Sequence, residues 1–193
     1  MDVITLRFIS KRYLAVFIAL LTSLNAYSMQ PILVEVKPES DGTYTYQYKI
    51  KTDHSVMVKG GSIENDADFF TLFNFGGMVE GSAKQPTGWS FSSSTQGLTP
   101  FRTGRTVLNP FDINGVPNVT WTRTGTDLKT ASEISGFSVR SVVKEAMLGE
   151  YGVQVTRIDL GKLKHKFESS EEKEARLGYV WIPKLLKTTR ATR

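Results

Sequence analysis

The sequence predicts an all-β protein: an antiparallel β-sandwich of about seven to nine strands, preceded by an N-terminal signal helix. Three observations carry that expectation. Thr43 to Ile50 alternates strictly between polar and apolar side chains. Short apolar runs recur along the chain between Gly- and Pro-containing turns. No stretch between those runs shows the 3.6-residue apolar period of a core-facing helix. Antiparallel strands joined by turns give sandwiches and barrels, whereas a parallel sheet would need helical crossovers.

Residues 1–28 read as a signal peptide. Arg7, Lys11 and Arg12 form a basic start, Tyr13 to Leu24 an uncharged and mostly apolar run, and Ala26 and Ser28 the small residues that precede cleavage between Ser28 and Met29. A helix over that apolar run would reach only about 18 Å, against the roughly 30 Å of a hydrocarbon core, so no stable membrane anchor is expected after cleavage.

Residues 29–183 are expected to form the sandwich. Ile32 to Val36 and Thr43 to Ile50 flank the turn cluster Pro38-Glu39-Ser40-Asp41-Gly42 and make a first hairpin. Its second strand puts Tyr44, Tyr46, Tyr48 and Ile50 on one face. Val56 to Lys59, Phe69 to Phe75, Trp89 to Ser94, Asn118 to Arg123 and Gly136 to Val142 follow as further strands, then Tyr151 to Ile158 and Gly178 to Ile182. For the polar stretch that joins the last two, two readings stand. Ser169 and Glu172 have capping-box spacing and Glu172 to Arg176 is an i,i+4 pair, which suits a short helix near 169–177; a long solvated hairpin loop suits it equally. Pro183 ends the last strand, and 184–193 is expected to be a basic tail.

The order of these segments carries a resemblance. Tyr44-Thr45-Tyr46, Asp68 to Phe75 followed by Gly88-Trp89-Ser90, then Gly136-Phe137-Ser138-Val139, Tyr151 to Arg157 and the closing Gly178 to Pro183 resemble a group of uncharacterised bacterial exported proteins, many of which carry a PEP-CTERM sorting tail. The resemblance implies an all-β extracellular domain and no particular activity. After Ile182-Pro183 there is neither a Pro-Glu-Pro motif nor an apolar helix, so a secreted, periplasmic or cell-surface bacterial protein is expected rather than one sorted by that route.

Composition narrows the chemistry. The chain has no cysteine, which excludes disulfides, thiolate metal sites and a cysteine nucleophile. The net charge of +5 is an average over a basic leader, a mildly acidic body and a C-terminal segment, from Val155 onward, with ten basic against five acidic side chains. Glu168, Glu171, Glu172 and Glu174 break up that last basic field, and no nucleic-acid partner is expected. His54 and His165 stand about 110 positions apart without metal-ligand spacing, and no nucleophile elbow, P-loop or dinucleotide fingerprint occurs.

Two weaker features remain. Glu64, Asp66 and Asp68 crowd oxygen donors into one turn, where Ca²⁺ could find some of the roughly six to eight hard oxygens it takes; turn-making and backbone capping is the plainer reading. Trp89, Trp121 and Trp181, with the Tyr44/Tyr46/Tyr48 face, offer rings for stacking a sugar or for filling a core. The expectation is an exported, non-catalytic module that binds polysaccharide or surface components. The alternatives are an extracellular carboxylate hydrolase, with or without calcium to stabilise it, and a structural part of an envelope assembly that joins by strand pairing. No other cofactor is expected.

Overall fold

A computed structural model describes residues 29–61, 67–95, 110–129, 131–157 and 172–186. The proposed leader and most of the basic tail lie outside them. The described residues form nine strands and no helix. In chain order they are β1 (Met29–Pro38), β2 (Tyr44–Thr52), β3 (Val56–Met57), β4 (Phe69–Leu72), β5 (Trp89–Ser94), β6 (Asn118–Arg123), β7 (Glu133–Ser141), β8 (Ala146–Arg157) and β9 (Glu172–Pro183).

One sheet holds β1, β2 and β7 in that order. The other runs β3-β8-β4-β6-β5, with β9 paired to β8 as well. Every strand pair is antiparallel. The first hairpin forms as the alternation predicts: β1 and β2 pair around a turn in which Gly42 adopts φ 81° and the Asp41 carboxylate accepts the N–H and hydroxyl of Thr43. Arg140 on β7 reaches across β2 to the same carboxylate.

The core lies between the sheets. Tyr46, Tyr48 and Ile50 of β2 and Phe137 and Val139 of β7 face Phe70, Leu72, Val119, Trp121, Tyr151 and Val153 of the larger sheet. Trp121 is its centre. It stacks on Phe70 at 5.0 Å and meets Phe137, Phe91 and Tyr48 at 5.8, 5.5 and 6.4 Å, while its indole N–H donates to the Lys84 carbonyl. Tyr48 donates its hydroxyl to the carbonyl of Trp181 and so fastens the small sheet to β9.

The structure corrects one expectation. Residues 172–177 are neither helix nor loop: they begin β9, which pairs with β8 without interruption from Glu172↔Arg157 to Pro183↔Ala146. Charges in this stretch pair as a strand pairs them: Glu174 meets Arg176 two places along and Arg157 across the ladder at 3.7 Å. Cross-strand pairing over the whole of β8 outweighs a marginal local preference. Two glycines make the close fit possible. A β-carbon at Gly178 would fall 2.5 Å from the Tyr151 ring, and one at Gly149 would fall 2.2 Å from Ile182.

The β1–β2 turn has a pH signature. The bonds from Thr43, then the Arg140 guanidinium, lower the Asp41 carboxyl to about 2. A carboxyl whose native value lies below its unfolded value of about 3.9 stabilises the fold above that value and loses the contribution as pH falls toward 2. Between pH 5 and 2 the melting temperature of the wild type should therefore fall more steeply than that of Asp41→Asn. Parallel curves would show that the turn carries no such linkage.

Candidate functional site

The three tryptophans do not form one platform. Trp121 is fully buried and Trp89 nearly so; both are core residues of the larger sheet. Trp89 packs edge-on against Phe137 at 5.0 Å and lies under the guanidinium of Arg123 at 5.7 Å. Trp181 alone is open, at 53% exposure. Of the tyrosine face, Tyr46 and Tyr48 are buried and Tyr44 is partly so.

Strand parity explains the difference. In β9, Val180 and Ile182 turn inward to the core, which sends Tyr179 and Trp181 outward, along with Leu177. Their neighbours across the ladder are Glu150, Leu148 and Gly152. Tyr179 is 64% exposed, Leu148 52% and Leu177 41%. Beside them a 200 Å³ cleft is walled by Phe111, Leu148, Tyr179 and Leu185, with Gly149 at its base. Phe111 is exposed as well, and its N–H donates to the Glu150 carboxylate at 2.7 Å. The result is a strip of aromatic and aliphatic side chains on the outward surface of β8 and β9. Exposed large apolar groups that run together in this way mark binding surfaces more often than singly scattered ones.

A second concavity of about 610 Å³, lined by polar and apolar groups alike, lies over the small sheet. Lys37, Gln47, Ser138 and Arg140 lie in the sheet, and Ser82 and Lys84 come from the segment that bridges to the β7 edge. Among the described residues Glu39 is the one carboxylate in its lining, and it accepts the Thr45 hydroxyl.

Asp68 has a different place from the one its sequence neighbours suggest. It is fully buried, and its carboxylate is engaged on both oxygens: Lys173 Nζ lies 2.8 Å from Oδ1, while the Lys59 N–H and the Thr156 hydroxyl donate to Oδ2 at 2.7 and 3.0 Å. Burial pushes its carboxyl up, and the Lys173 ammonium pulls against that shift. A cation at Asp68 would have to displace Lys173. Glu64 and Asp66 lie outside the described residues, as does Ser28; Met29 is buried at the start of β1. Among the described residues no three metal-ligating side chains gather.

Sequence reasoning missed the Asp68–Lys173 pair and the buried Arg123. The guanidinium of Arg123 donates to the carbonyls of Thr126 and Gly88, and burial pulls its pKa down. Gly88, at φ 78°, and Gly125 leave the room it occupies.

Compared with protein-family models, curated proteins and solved structures, the chain matches none.

Proposed function

We propose that this chain is an exported, non-catalytic β-sandwich module that binds polysaccharide at the bacterial surface or in its surroundings. The observation that carries the proposal is the exposed Tyr179–Trp181 pair on the rigid outward face of a twelve-residue strand, next to an apolar cleft. A sugar ring presents an apolar C–H face to such a ring while its hydroxyls reach polar groups at the margin, here the Tyr179 hydroxyl and the Glu150 carboxylate. The signal-like N-terminus and the absence of cysteine suit export of a domain held by its β core.

Trp181 is its own reporter, because Trp89 and Trp121 are shielded in the core. Titration with a panel of soluble polysaccharides should shift the emission of the wild type and leave that of Trp181→Phe unchanged. Trp181→Ala and Tyr179→Ala should each weaken retention on the bound polysaccharide about tenfold, equivalent to about 1.4 kcal/mol, with little change in melting temperature. A panel that evokes no Trp181-dependent response removes the proposal. The aliphatic Leu148 and Leu177 on the same face favour a second reading, a contact surface within an envelope assembly. Concentration-dependent oligomers that Trp181→Ala dissolves, without any polysaccharide binding, would select it.

A further inference from the structure

Asp68 and Lys173 are arranged more fully than an ion pair requires. Asp68 stands just before β4, and Lys173 is the second residue of β9, 105 positions later. Oδ1 of Asp68 faces the amine at 2.8 Å, close enough to take a proton from it. Oδ2 is held by two fixed donors, the Lys59 N–H and the Thr156 hydroxyl. The Thr156 oxygen in turn accepts from Lys173 Nζ at 2.8 Å, which fixes the amine on the side of Oδ1. Asp68 and Thr156 are both fully buried, and the Lys173 side chain is 26% exposed. A carboxyl with a nucleophile at one oxygen and two preorganised donors at the other has the layout of an acyl-transfer site.

We propose that Lys173 and Asp68 condense spontaneously into an isopeptide bond that ties the last strand to the entry of β4. Oδ1 first takes a proton from Nζ, which leaves a neutral amine beside a neutral acid. The Nζ lone pair forms a bond to Cγ, and the carbonyl pair moves onto Oδ2, where the Lys59 N–H and the Thr156 hydroxyl hold the developing charge. A second proton passes from Nζ to Oδ1, the Cγ–Oδ1 bond breaks, and water leaves as the Oδ2 carbonyl reforms. One C–N bond forms and one C–O bond breaks; nothing is oxidised or reduced, and no co-reactant is consumed. Holding amine and acid in contact is equivalent to an effective concentration on the order of 10⁵ M or more, and the buried site limits the water that would reverse the step. In a chain without cysteine the bond closes the kind of long loop that a disulfide would otherwise close.

The test is a tryptic digest of the purified full-length protein read by tandem mass spectrometry. Cleavage after Lys59 and Lys84 releases 60–84, and cleavage after Lys166 and Arg176 releases 167–176. The expected product is these two peptides joined through Asp68 and Lys173, one water lighter than their sum, with no cut after Lys173. Asp68→Asn should give the same joined product by releasing ammonia instead of water, whereas Asp68→Ala and Lys173→Arg should give none. Recovery of 60–84 unlinked from the folded wild type, with Lys173 open to cleavage, overturns the proposal whether or not any variant folds.

Discussion

Trp121→Ala is expected to destabilise the domain by about 4 kcal/mol, with a fall of roughly 10 °C in melting temperature for a domain of this size. Trp121 is fully buried and meets aromatic rings from both sheets: Phe70 and Phe91 on its own side, Tyr48 and Phe137 on the other. Truncation removes the area the indole buries and leaves a cavity whose walls are strands locked in two ladders, so the site can collapse only in part. It also removes the indole N–H bond to the Lys84 carbonyl, which keeps its bond from the Ser138 N–H in the segment bridging to β7. Trp121→Phe keeps much of the ring packing and should cost less than half as much. The control is Trp181→Ala, a change of the same size on a half-exposed residue, expected within about 0.5 kcal/mol of wild type. Urea titrations of the three variants check the order. If Trp121→Ala and Trp181→Ala unfold at the same midpoint, the division of tryptophans between core and surface is wrong.

That division could not be read from residue type alone. Trp181 has the more apolar neighbours, Val180 and Ile182, yet it is open, while Trp121 lies between two threonines and is buried. In a strand the immediate neighbours occupy the opposite face, so an apolar pair flanking a tryptophan argues that the tryptophan points outward. Read by parity, Gly178-x-Val180-x-Ile182 would have placed Trp181 on the surface. The strands whose alternation is strong, β2, β5 and β6, were legible nearly to their ends because period two leaves little freedom of register. The start of β9 was not. Lys173, Glu174 and Arg176 carry no apolar alternation, and what makes them a strand is a partner, β8, that a local reading does not include. The apolar run Phe69 to Phe75 suggests a single strand, but β4 stops at Leu72 and Asn74 takes φ 54°, turning the chain while Phe73 and Phe75 stay in the core.

The same limit hid the charge at the heart of the larger sheet, and it underlies the second large expected effect. Asp68→Ala should cost about 3 kcal/mol, since it leaves the Lys59 N–H and the Thr156 hydroxyl without their acceptor and strips the counter-charge from Lys173. The cost stays at the low end for a buried pair because the Lys173 side chain keeps some contact with water. Lys173→Met makes the opposite cut. It leaves a buried carboxyl whose strongest remaining influence is desolvation, which raises its pKa further than in the wild type. A carboxyl with a native value above its unfolded one binds its proton more tightly when folded. Lys173→Met should therefore gain stability as pH falls from 7 toward 5, against a flatter wild-type curve. The double variant Asp68→Asn/Lys173→Met removes both charges, and it should be more stable than the two single losses added together, because neither charge is left buried alone. Denaturant midpoints for the four proteins at pH 7 and pH 5 measure both effects. Additive losses with no pH dependence would mean that the two charges do not act on each other. These values hold for the unlinked pair; where the isopeptide bond has formed, the wild type carries neither charge and each single variant costs more, because the loop the bond closes then opens as well.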